Sequence, residues 1–263
     1  MRIRPLSVGL LLSVLLAACG GDGTAAETGS ASETESAVEG EVVVFAAASL
    51  TDAFTELGAM FTEQHPDATA TFNFASSSQL ATQVTEGAPA DVLASANQKQ
   101  MDVVGDADLL DGESEPFTSN LLAIAVEPGN PLGVTGLADL ADPELTLVLA
   151  AEEVPAGQYA REALYAAGVA VEPASLEVDV RAVLARVTLG EADAGIVYAS
   201  DITSAGAEVE GVAIPEEDNV VAPYPIAVLT DASNPQGAAA FRELVLSGDG
   251  QAVLVEYGFV EPG

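Results

Sequence analysis

The chain has one cysteine and one histidine, and only 7 of its 263 residues are Lys or Arg. The cysteine, Cys19, has no second thiol to pair with, so no internal disulfide staples the fold. The histidine, His65, lies in Gln64-His65-Pro66 at a helix end, solvated rather than catalytic, and no Gly-x-Ser-x-Gly elbow is present. Serine-nucleophile chemistry therefore has neither its base nor its turn, and an enzyme is not expected. Against the 7 basic residues stand 41 acidic ones, giving a formal net charge of −34. Such a field repels phosphate backbones and anionic lipid, which excludes nucleic acid as a partner. Long apolar runs are also missing. The stretch from Leu6 to Leu16 is shorter than the ~20 residues that a permanent membrane-spanning helix needs.

What is there is a chain with 49% hydrophobic residues, long enough to bury a sizeable core and to form two lobes. Arg2 and Arg4, the apolar stretch behind them and the small residues that follow have the layout of a secretory signal over residues 1–19. Leu16-Ala17-Ala18-Cys19 resembles a bacterial lipoprotein box, which implies lipidation of Cys19 and an extracytoplasmic protein held to the cell membrane by that lipid. Residues 20–40 are, apart from Asp22 and Val38, Gly, Ser, Thr, Ala and Glu with almost nothing to bury, and read as a flexible acidic tether.

The folded part opens on Val42-Val43-Val44-Phe45-Ala46-Ala47-Ala48-Ser49-Leu50-Thr51-Asp52. The β-branched run reads as a buried strand, and Ser49 with Asp52 three residues on reads as the N-cap of a helix through Phe54, Leu57 and Phe61. A strand that feeds a helix N-terminus through alanines aims free N–H groups and a positive dipole end at one point, and leaves room for an anion to approach. The device recurs. Ala68 to Phe74 reads as a strand, Ala75-Ser76-Ser77-Ser78 as a small polar loop, and a helix follows; Ala90 to Ser95 reads as a third strand, after which Asn97 opens a helix. Such βα alternation implies an α/β fold of parallel strands with helices on both faces.

Asn120 to Val126 reads as a strand crossing into a second lobe. There the cycle begins again: a strand over Leu145 to Ala150, a turn at Val154-Pro155-Ala156-Gly157 into a helix, Asp179 placed to cap the next helix, and a buried strand from Ala194 to Tyr198. Val221 to Thr230 reads as the return strand, with closing helices around Phe241 and Leu254. The expected organisation is lobe I over residues 41–121 and 226–263, and lobe II over 122–225.

In open α/β sheets a ligand sits off the carboxyl ends of the strands. Collecting residues there gives Ser49, Ser77, Ala156, Val180 and Tyr198, none charged. Each also has a plainer reading: Ser49 and Ser77 as N-caps, Ala156 and Val180 as first-turn residues, Tyr198 as a core edge.

Longer blocks separate these readings. Phe45 to Asp52, Ala75 to Ser78, Gly87 to Val92, Ala96 to Asp102, Val154 to Ala160, Gly195 to Asp201 and Tyr224 to Val228 resemble, in order and across nearly the whole folded region, the molybdate-binding protein family of bacterial molybdate ABC transporters. The resemblance implies a two-lobed type II periplasmic-binding-protein fold with two crossover strands and an interlobe cleft. It further implies molybdate as ligand, with tungstate accepted as a near-isostere. The family's two serines, two backbone amides and tyrosine hydroxyl fall on Ser49, Ser77, Ala156, Val180 and Tyr198. Glu177-Val178-Asp179-Val180-Arg181 carries one residue more than the family's Glu-Asp-Val-Arg, and Gln98-Lys99-Gln100-Met101 has Gln where the family has Trp.

The partners implied are an ABC transporter permease and, through Cys19, the membrane; the protein is expected to be a monomer without a cofactor. A donor-only pocket suits a fully deprotonated dianion and leaves the O–H of a protonated phosphate unpaired. Sulfate carries the same charge as molybdate, so a binder of another tetrahedral oxyanion such as sulfate is the alternative.

Overall fold

The computed structural model describes residues 37–262; the expected signal, Cys19 and most of the tether lie outside them. The apolar run at the start of the folded part becomes strand β1 (Gly40–Ala47). Its side chains alternate between two cores, as the strand's two-residue period requires. Val42 and Val44 pack on one face with Phe54, Leu57 and Phe61, while Phe45 on the other meets Leu80, Leu93 and Met101. Both faces are covered, so the strand is apolar almost throughout instead of alternating with polar residues. On the first face Phe241 stands edge-on to Phe54 at 5.8 Å and to Phe61 at 5.6 Å.

The helices doing the covering are α1 (Thr51–Gln64), α2 (Ser77–Thr85), α3 (Gln98–Gly105), α7 (Pro235–Leu246) and α8 (Gly248–Glu256). Strands β2 (Ala68–Ala75) and β3 (Val92–Ala94) flank β1, both parallel to it. Helix α1 is not entered as its sequence implied. A 3-10 turn, Ala48–Leu50, comes first, and Thr51 Oγ1 donates to the Ala48 carbonyl at 2.7 Å. Ser49 lies inside that turn and caps nothing.

Strand β4 (Glu115–Val126) is 12 residues long and serves both lobes. Residues up to Leu121 pair antiparallel with β9 (Val221–Val228), and from Leu122 onward the strand pairs with β7 (Ala194–Tyr198). The change of partner falls between Leu121 and Leu122. Strand β9 does the converse, leaving β4 at Ile226 to pair with β3. These two are the crossover strands.

Beyond them β5 (Leu147–Ala150) runs parallel to β6 (Ser175–Glu177) and β7, and β8 (Glu210–Ala213) pairs with β4. Helices α4 (Pro155–Ala166), α5 (Val180–Thr188) and α6 (Ala199–Ala205) complete lobe II. The resulting strand order is β2-β1-β3-β9-β4-β7-β5-β6. Among the described residues no helix is long and apolar enough to cross a membrane.

Candidate functional site

Two sets of three parallel strands, one set in each lobe, point their carboxyl ends at one cavity. Ala47, Ala48 and Ser49 reach it from β1, Ser76 and Ser77 from β2 and Ala96 from just past β3; Val154, Pro155 and Ala156 come from beyond β5, Asp179 and Val180 from beyond β6, and Tyr198 ends β7. The sequence-derived residues Ser49, Ser77, Ala156, Val180 and Tyr198 are therefore all brought together. The free space inside it is ≈ 10 Å³, about what one water molecule needs.

Each donor is placed by its local sequence. Helix α2 is capped by Ser76, whose Oγ accepts from the Gln79 amide, so Ser77 is the first helical residue and not the cap. Its Oγ instead accepts the Ala96 N–H at 2.9 Å. Helix α4 begins with Pro155 at its first position and has no side-chain cap. Gly157 lets its first turn lie directly on the end of β5, because a Cβ there would sit 2.1 Å from the Ala151 carbonyl oxygen and 2.3 Å from that of Ala150. Helix α5 is capped by Asp179, whose Oδ1 accepts from the Ala182 amide at 2.8 Å. The amides of Ala156 and Val180, in the first turns of α4 and α5, have no acceptor within their own helices, and both residues are buried.

Tyr198 is the most telling member. It is 1% exposed, and its hydroxyl completes no hydrogen bond among the described residues. Burial, with the charges of the nearby Tyr224, Tyr159 and Asp201 and the approach of the Tyr224 hydroxyl, which falls short of hydrogen-bond geometry, pushes its pKa well above the ordinary phenol value, so it stays protonated and can donate. A buried hydroxyl without a partner costs roughly 1–3 kcal/mol, which makes it an unfilled demand for an acceptor.

Two groups around the site were not anticipated. Tyr224, fully buried on β9, places its hydroxyl 2.8 Å from Ser49 Oγ. Its pairing partner lies 175 residues away, so no local pattern announces it; Tyr224 entered the sequence analysis only as part of a block. The second group is a charged cluster beside the cavity. Arg181 on α5 binds Asp52 on α1, joining the lobes, and its Nε comes to 3.2 Å from Oδ1 of Asp201. That approach provides charge attraction, although neither atom completes a hydrogen bond through it.

Asp201 is fully buried and its other oxygen accepts the Tyr198 amide at 3.0 Å. Burial pushes its carboxyl up to about 6, with Arg181 and the Tyr198 amide opposing and Asp52 and Asp179 adding to the rise. At Asp52 burial also works upward, but hydrogen bonds from Arg181 and Ser204 and the Arg181 charge outweigh it and hold the carboxyl below its usual value. Polar contacts from Asn97 to Gln158 and from Gln100 to the Glu153 carbonyl, each 3.4 Å, also link the lobes.

The wall thus presents hydroxyls and first-turn amides, with Asp179 as its charged member and that carboxylate engaged in capping. Among the described residues no cluster of His, Cys, Asp or Glu is grouped to hold a metal cation. The arrangement can receive a small guest rich in acceptors.

Comparison with known proteins agrees in scale and fold. The family described as bacterial extracellular solute-binding protein matches residues 42–260. The molybdate-binding protein ModA of Mycobacterium tuberculosis is 42% identical over 265 residues, covering all of both chains. The solved substrate-binding domain of a putative molybdenum ABC transporter from Clostridium difficile is 30% identical with a TM-score of 0.64, over 85% of this chain and 99% of that one. The sulfate-binding protein SubI of Mycobacterium tuberculosis superposes with a TM-score of 0.75 at 18% identity, over 83% of this chain and 86% of that one, a likeness of fold alone.

Proposed function

Because this chain belongs to the family of bacterial extracellular solute-binding proteins, we propose that it captures molybdate, and tungstate as a near-isostere, in the cavity between its lobes. It is a binding protein for transport and not an enzyme. The observation that carries the ligand assignment is the buried, partnerless Tyr198 hydroxyl facing the same cavity as Ser49, Ser77 and the first-turn residues Ala156 and Val180. Five donors from two lobes suit an acceptor-only dianion with four oxygens, and charge-assisted hydrogen bonds of this kind are the strong ones. Positive helix ends supply the rest of the attraction without a lysine or arginine in the wall. The strongly negative protein does not defeat this, because distant carboxylates are screened over ~10 Å at ordinary ionic strength while the amides act at contact.

In this reading the loaded protein delivers the anion to an ABC transporter permease as a monomer, tethered outside the cytoplasm by lipid on Cys19; the mass of the mature N-terminus tests the anchor. Sulfate is the second reading, because it is a tetrahedral oxyanion of the same charge as molybdate and asks for the same donors.

One calorimetric titration with molybdate, tungstate, sulfate and phosphate separates these. Molybdate and tungstate are expected to bind at micromolar concentration or tighter, and at a hundredfold excess over Kd to stabilise the fold by about 2.7 kcal/mol. Absence of heat with every anion, on folded protein, overturns the assignment. Sulfate displacing molybdate at comparable concentration selects the second reading.

A further inference from the structure

Tyr224 does not line the cavity, yet it touches one of the residues that does. Its ring is locked edge-on against Tyr198 at 5.8 Å, Phe117 at 6.4 Å and Phe259 at 5.5 Å. Its hydroxyl oxygen lies 2.8 Å from Ser49 Oγ, a contact in which either oxygen could donate. A serine hydroxyl has one proton and two acceptor positions, so Ser49 offers a guest either a proton or a lone pair, according to where its own proton points.

Ser77 shows what settles such a choice. Its Oγ accepts from the Ala96 amide at 2.9 Å, and a backbone N–H can only donate. One acceptor position of Ser77 is thereby filled, and its proton is left for the cavity. Ser49 has no backbone amide in that role; the group in the equivalent place is the Tyr224 phenol. Burial and the Asp201 charge raise the pKa of that phenol against the opposing contacts of Ser49, Asn120 and Tyr198, so its proton is present to be given, and of these three neighbours Ser49 is the one that meets hydrogen-bond geometry.

We infer that Tyr224 is a positioning and specificity-determining residue: it donates its phenolic proton to Ser49 Oγ, which commits Ser49 to donate its own proton to the bound oxyanion. The inference rests on the oxyanion reading above and deepens it. An acceptor-only dianion gains a correctly aimed donor. A protonated oxyanion, whose O–H needs a lone pair, finds that of Ser49 occupied. Selection against protonated anions is thus built partly outside the cavity wall, on the return crossover strand.

The test compares wild type with Tyr224→Phe, which keeps the packed ring, using molybdate and sulfate as unprotonated probes and phosphate at pH 7 as the protonated one. Molybdate and sulfate are expected to weaken about five- to tenfold, and the ratio of the phosphate Kd to the molybdate Kd to fall at least about tenfold. Equal weakening of all three anions would mean a structural role only and overturns the inference. Ligand-free unfolding monitors the fold. A second measurement stands apart from any loss of stability: in a Ser49→Ala background, Tyr224→Phe should change molybdate affinity less than about twofold, since nothing remains to orient. Additive losses in that cycle overturn the relay. Wild-type protein that binds none of the anions overturns the oxyanion reading and the relay with it, whereas normal wild-type binding with an unchanged ratio overturns the relay alone.

Discussion

Lobe I and lobe II furnish donors of different kinds to the same cavity. Lobe I gives two serine side chains, each with its oxygen already engaged, Ser49 by Tyr224 and Ser77 by the Ala96 amide. Lobe II gives two first-turn amides whose directions follow from the axes of α4 and α5, and one phenol, Tyr198, whose hydroxyl completes no hydrogen bond among the described residues. The first lobe is set before a guest arrives. The second holds a polar atom whose demand is unmet until then, so the cost of keeping the site ready is concentrated there.

The sharpest way to break this contrast is Tyr198→Phe. Removing a buried hydroxyl without a partner should raise ligand-free stability by about 1–3 kcal/mol, and removing a donor to the anion should weaken binding by a similar amount. Thermal unfolding with and without molybdate reads both signs at once. A fall in both would show that the hydroxyl has a partner in the free protein and that the lobes do not differ in this way.

Next in size is a pH effect confined to the lobe II side. Asp201, with its carboxyl raised from 3.8 to about 6, binds more protons folded than unfolded between those values. Its contribution to stability therefore falls as pH rises across that window and stays reduced above it. Asp52 is displaced the other way, so its contribution is lost only as pH falls below its ordinary value. The unfolding midpoint of wild type relative to Asp201→Asn should decline between about pH 4 and pH 6, as linkage requires. A flat difference would mean that Asp201 ionises alike in both states.

The smallest effect sharpens the contrast from the backbone side. Val180→Ala leaves the α5 amide in place, so molybdate affinity should change by less than about 0.5 kcal/mol even where buried methyl loss lowers stability. Isothermal titration of folded Val180→Ala protein tests this, and a tenfold loss would make the side chain, not the amide, the contact.

Much of this was legible in the chain. Strand and helix order along both lobes followed from apolar runs bounded by small residues, and Asn97 and Asp179 cap α3 and α5 as their positions imply. What local pattern could not supply came from tertiary contacts. Ser49 reads as a cap, but the Thr51 hydroxyl tightens Ala48–Leu50 into a 3-10 turn and leaves Ser49 free to meet Tyr224. Ser76 and Ser77 are equivalent as sequence; the one that caps is set by where β2 ends. The first part of β4, Glu-Pro-Phe-Thr-Ser, lies outside the strand read from Asn120 to Val126, yet Thr118 Oγ1 donates to the Val260 carbonyl and Ser119 pairs with Val260 at the far end of the chain. The short, largely exposed β8 and the seven-residue α6 gave no periodic signal long enough to register.

Ala47, Ala48, Ala96 and Ala156 make up a third of the cavity wall, and a methyl group has no rotamer to change. At these four positions the width of the space is consequently a property of the main chain. Substitution at these positions can narrow the opening by many steps but can widen it only by the one methyl that glycine removes. Selectivity by size is therefore easy to tighten toward smaller anions and hard to relax toward larger ones, and a descendant of this protein with a bulkier cargo would have to move strands before it could change side chains.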